Sequence, residues 1–69
     1  MNTSVVPVRV TSSDGDLARF GNFDWAMAWM LEQINGPNDR LQVKKGHRVL
    51  FDTIRDASDI DSERAKYGV

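Results

Sequence analysis

Phe20-Gly-Asn-Phe-Asp-Trp-Ala-Met-Ala-Trp-Met-Leu-Glu-Gln-Ile-Asn-Gly36 is the only long helical pattern in the chain, and its reading decides the fold. Asn22 is a good N-cap, because its short side-chain carbonyl can accept from the unpaired N–H groups of the first turn. Asp24 places a carboxylate in that turn, where it complements the helix dipole, and Asn35-Gly36-Pro37 ends the pattern. At about 3.6 residues per turn, Phe23, Met27, Met30 and Ile34 form one apolar stripe flanked by Ala26 and Leu31. This stripe is the expected core face. Trp25 and Trp29, spaced i, i+4, fall on the other side beside Ala28 and Glu32, where a helix with a single core to cover should be polar.

Strand patterns lie on either side of the helix. Val5-Val-Pro-Val-Arg-Val10 alternates, with Val6, Val8 and Val10 facing one way and Arg9 the other. Pro7 cannot donate to a ladder, so an edge strand, or a proline on the unpaired side, is expected. Turn chemistry at Ser12–Asp16 leads to a short return strand, Leu17-Ala-Arg-Phe20. A three-residue loop Ser13-Asp14-Gly15 pairs Val10 with Ala18 and Val8 with Phe20, all on one face. A two-residue Asp14-Gly15 turn pairs Val10 with Arg19 and mixes the faces. The odd loop is therefore expected, with Gly15 in the left-handed position of a type I turn with a G1 bulge.

Arg40 to Asp52, after a loop at Asn35–Asp39, reads as a second hairpin. A loop of Lys44, Lys45 and Gly46 pairs Val43 with His47 and Leu41 with Val49, and leaves Phe51 on the same face. Together these elements give an α+β class fold, β-β-α-β-β: a four-stranded antiparallel sheet with one helix on its apolar face. The expected core is Val6, Val8, Val10, Ala18, Phe20, Phe23, Met27, Met30, Ile34, Leu41, Val43, Val49 and Phe51.

Residues 1–54 form the expected single domain, and residues 55–69 a C-terminal segment, either a short helix or a mobile tail. Ser58-Asp-Ile-Asp61 resembles a capping box, Lys66 suits a last turn and Gly68 the position after it, so a helix from Asp59 to Tyr67 is expected. Its apolar stripe, Ile60, Tyr67 and Ala57, is thin. A helix this short needs a surface to dock on, and the tryptophan pair is one such surface.

Composition restricts the function classes. A chain of 69 residues without cysteine has neither disulfides nor thiolate zinc ligands, and its core must be aliphatic, aromatic and methionine. No apolar run is long enough to span a bilayer and no cleavable signal is recognisable, so a cytoplasmic protein is expected. His47 is the only histidine and has no partner at metal-ligand spacing; the serines sit in turns and caps; the glycines form no phosphate loop. The carboxylates of Asp52, Asp56, Asp59, Asp61 and Glu63 lack calcium-loop spacing. No enzyme, cofactor, metal or small-molecule substrate is expected.

Two binding classes remain. Two tryptophans at about 150–250 Å² each amount to a large apolar patch, and tryptophan is a preferred interface anchor. The leading expectation is thus a protein–protein interaction protein, an adaptor or an inhibitor of the kind phages and mobile elements encode, or a homodimer. Trp25 and Trp29 would anchor the contact, Ala28 would allow close approach, and Glu32 borders them. The second is a dimeric nucleic-acid-binding regulator using Arg40, Lys44, Lys45 and Arg48 on the second hairpin, beside His47. A formal net charge of −1 and the lack of aromatics interleaved with that cluster place it behind the first. The acidic run from Asp52 to Glu63 reads as a solvated face, or as a phosphate-like surface for a basic partner.

Overall fold

A computed structural model describes residues 6–36 and 39–69. Expectations for residues 1–5 and for Pro37 and Asn38 lie outside them. The elements follow in the order β1 (Val8–Ser12), β2 (Gly15–Phe20), α1 (Phe23–Gln33), β3 (Gln42–Lys45), β4 (Arg48–Asp52), a 3₁₀ turn (Ala57–Asp59) and α2 (Ile60–Tyr67). The four strands form one antiparallel sheet in the order β2-β1-β3-β4. The α+β architecture expected from the sequence is the one observed.

Asn22 caps α1 as expected, its side-chain oxygen accepting the Trp25 N–H at 2.7 Å. Such a cap is worth about 1 kcal/mol. The helix packs on β1, β2 and β3, and the core comprises Val8, Val10, Ala26, Met27, Met30, Leu31, Leu41, Val43 and Phe51. Phe20, Phe23, Trp29, Ile34, Ile60 and Tyr67 are partly buried around it. Ala26 and Leu31, expected only to flank the stripe, are fully buried, because a helix lying across three strands covers an arc wider than one row of side chains.

Several expectations need correction. β1 is a central strand and begins after Pro7, so the proline removes no ladder N–H. Val6 also precedes the strand and is 47% exposed, outside the core. Ala18 and Val49 are half-buried and not part of it either.

Both hairpins close with two-residue turns and place the extra residue further down the strand. In the first, Ser12 pairs with Gly15 and Thr11 with Asp16; the register then shifts, and Val10 meets Ala18 and Val8 meets Phe20. Leu17 is the unpaired residue, a bulge in the edge strand. The expected core pairs are thus realised by a different device, since parity requires one odd residue but does not say where it sits.

The second register differs more. Lys45 pairs with Arg48 around a Gly46-His47 turn, Lys44 with Val49, and after a shift Val43 with Phe51 and Gln42 with Asp52. Val43 therefore meets Phe51, not His47, and Leu50 is the bulged residue. Two large buried side chains across one ladder gain more than a valine opposite an exposed histidine, which decides between the registers.

Gly46 has φ +63° and, among the described residues, none other than glycine has positive φ, so Gly46-His47 has the sign pattern of a type II′ turn with glycine first. Gly15 also has positive φ, +126°. The space around Gly46 is open, so a methyl group would meet only the backbone penalty. Gly46→Ala is expected to lower stability by about 1 kcal/mol in urea unfolding, because the first position of this turn suits only glycine. Equal stability of the two proteins would reject this turn.

Candidate functional site

Helical geometry separates the two tryptophans. At about 100° per residue, Trp25 lies almost opposite the middle of the buried arc, whereas Trp29 lies on its flank. Trp25 is accordingly 66% exposed. Trp29 is half-buried, and its ring stands 5.6 Å from that of Phe20 at 48°. A tilted pair at that distance is a favourable aromatic contact. The expectation that both tryptophans stand outside the core is corrected: β2 reaches under the helix flank, and Phe20 brings Trp29 into the packing.

The C-terminal segment occupies the other flank. Tyr67 donates its hydroxyl to Asp24 Oδ1 at 2.6 Å, and Ile60 and Tyr67 pack at the margin of the core. Burial first, and then the Asp24 carboxylate that accepts its proton, push the Tyr67 phenol up to about 12. Gly68, at φ +71°, closes α2 as expected, its N–H bonding to the Arg64 carbonyl. The capping box does not form: Ser58 lies within the 3₁₀ turn and Asp59, at the N-cap, makes no side-chain bond. α2 thus docks on the Asp24 side and leaves Trp25 uncovered. The crest of α1 is a strip between Tyr67 on one side and the Phe20–Trp29 pair on the other, with Trp25, half-buried Ala28 and exposed Glu32 along it.

The basic residues of the second hairpin divide into two groups. Arg40 bonds to Asp52 Oδ2 through Nε at 3.1 Å and Nη2 at 2.6 Å. Gln42 donates to the same oxygen at 2.8 Å, and the N–H groups of Ile54 and Arg55 donate to Oδ1. Asp52 is only 2% exposed. Burial alone would raise its pKa, but the hydrogen bonds from Arg40 and Gln42, then those from the two backbone groups, outweigh it and hold the carboxyl well below the usual range. Arg40 is therefore a structural partner. Lys44, Lys45 and Arg48 enter none of the ion pairs among the described residues.

Register adds two arginines the sequence reading passes over. Arg9 pairs with Arg19 on one side and Lys44 on the other, forming a row Arg19–Arg9–Lys44–Val49 across the sheet face away from α1. Arg9 is held in place by Asp16, at 3.0 Å, and by the Gly46 carbonyl, at 3.0 Å. The alternation of Arg9 against Val8 and Val10 is the signal that could have found the row. The acidic run is likewise divided: Asp52 is buried, Asp56 accepts the Asp52 N–H and pairs with Arg55, and only Asp59, Asp61 and Glu63 lie on the terminal helical turns.

A cleft of about 400 Å³ opens between the C-terminal end of α1 and α2, lined in part by Ile34, Asp39, Ile60 and Arg64. Among the described residues no group of three or more histidines, cysteines or carboxylates is placed to hold a metal, and no helix is long and apolar enough to cross a membrane. Comparison with protein-family models, curated proteins and solved structures finds no match.

Asp52 has a clear acid signature. Its folded pKa lies below the unfolded value near 4, so in acid the unfolded chain binds the extra proton. The stability it supplies is complete above about pH 4 and is lost as pH falls through the folded pKa. Asp52→Asn is expected to lower neutral-pH stability by about 2 kcal/mol and to flatten the decline between about pH 4 and pH 2. Thermal melts across that range test both; parallel curves for the two proteins would refute the account.

Proposed function

We propose that this chain is a non-enzymatic interaction protein that binds another protein through the crest of α1, with Trp25 as its anchor. One observation carries the reading: a tryptophan 66% exposed on a capped, well-packed helix, flanked on both sides by packed aromatic side chains. An anchor held on a rigid element loses little further freedom on binding, and tryptophan is the residue type most enriched where interfaces concentrate their energy. Ala28 lets a partner surface approach the helix, and Glu32 gives the strip a charged border. The reading fits an adaptor or an inhibitor. Trp29 contributes by holding the helix against Phe20 and not by direct contact.

Substitution at the two tryptophans separates these roles. Trp25→Glu is expected to leave circular dichroism and unfolding unchanged within about 0.5 kcal/mol, and to weaken partner capture by about 2 kcal/mol or more. Trp29→Glu is expected to destabilise the fold by about 2–3 kcal/mol, because it opens the Phe20 contact and half-buries a carboxylate. Sedimentation at rising concentration distinguishes a second copy of the chain from a foreign partner. Unchanged capture and unchanged mass with Trp25→Glu would end the proposal.

A further inference from the structure

We infer that the sheet face away from the helices is a second contact surface, shaped for the sugar–phosphate backbone of a nucleic-acid duplex. The inference is independent of the Trp25 reading and concerns the opposite side of the molecule.

The register puts Arg19, Arg9 and Lys44 directly side by side on three adjacent strands. Neighbouring strands stand about 4.8 Å apart, so the three cations form a straight row about 10 Å long. Lys45 and Arg48, paired with each other across β3 and β4, are in register with buried Val8 and so fall on the helix side of the sheet, outside the row. The three cations meet one carboxylate, Asp16, which bonds Arg9 at 3.0 Å and lies 3.7 Å from Arg19, while Asp52 on the same face is already paired with Arg40 at 2.6 Å. The helices and the 3₁₀ turn, by contrast, carry Asp24, Glu32, Asp59, Asp61 and Glu63 against Arg64 and Lys66. The formal net charge of −1 therefore conceals a two-sided molecule, and whole-chain charge is a poor guide to what the sheet face attracts.

The form of the row selects the partner. A duplex strand carries one phosphate per about 3.4 Å of axis, a density that a line of cations one strand spacing apart can follow. The row carries no aromatic side chain, since its fourth member is Val49, so there is no platform for unstacked bases and a single strand gains nothing extra here. A protein partner would need a central apolar anchor, and the half-buried Val49 at the end of the row does not supply one. Because the contacts fall on phosphates, binding should be independent of base sequence.

The test uses fluorescence anisotropy with labelled duplexes of about 20 base pairs and unrelated sequences. The full chain should bind all of them similarly, with Kd of about 1–100 μM near physiological salt, and log K should fall with log salt at a slope of about −2 to −3. Arg19→Gln with Lys44→Gln should flatten that slope by about 2, each substitution removing one phosphate contact. Arg9 is left unchanged because its bonds to Asp16 and Gly46 are structural. Arg64→Gln with Lys66→Gln, on the helical side, and Trp25→Glu should leave duplex binding intact. Four results would overturn the inference: no binding at about 50 mM salt, an unchanged slope in the sheet-face variant, equal loss in the helical-side variant, or tighter binding to polyglutamate or anionic vesicles than to duplex.

Discussion

Asp52 is an ionised side chain in the interior of a domain of only 69 residues, and such a charge persists only if every lone pair facing inward is matched. Its matching draws together the approach to β3 through Arg40, β3 itself through Gln42, and the turn after β4 through two backbone N–H groups. Thr53 continues the network, accepting the Leu41 N–H and donating to the Asp39 carbonyl. No buried side-chain polar atom among the described residues lacks a partner. This network sets the direction in which the chain leaves the sheet. That direction carries α2 back along α1 until Tyr67 reaches Asp24. The uncovered crest of α1 is thus a distant consequence of one carboxylate.

The helix was legible in the sequence because its signals agree: Asn22 caps it, Asp24 follows, and the apolar spacing is regular. The hairpins were legible only as a parity. Alternation in Val8-Arg9-Val10 shows that one odd residue must be absorbed, and the pairs Val10–Ala18 and Val8–Phe20 follow from it. Where it is absorbed depends on packing across the sheet, which local pattern does not contain; hence the loop positions and the second register differ. Asp52 was illegible for the same reason. In sequence it is one of a run of carboxylates, and only the bulge at Leu50 turns Phe51 into the core and brings Asp52 beside Gln42. The tryptophan pair shows the limit of a helical wheel: it places Trp29 away from the stripe, but cannot show that β2 extends far enough to meet it.

The two faces of the molecule are built by different rules. The crest of α1 owes its position to what packs beneath and beside it, the Phe20–Trp29 contact on one flank and the Tyr67–Asp24 bond on the other. The far sheet face owes its pattern to pairing alone, since cross-strand neighbours are set by the ladder whatever their side chains do. A change in the core would disturb the first more than the second. A change of register would disturb the second entirely.

The bulges at Leu17 and Leu50 share a further property: both lie in β2 and β4, the outermost strands. An outermost strand offers unpaired N–H and carbonyl groups to any other chain in the same predicament, and a small protein with one sheet has two such borders. A bulge breaks the even spacing of those groups and increases the local twist, so a straight foreign strand cannot zip along them. The residue that each hairpin needs to keep its apolar side inward therefore also guards the sheet against growing into a fibril.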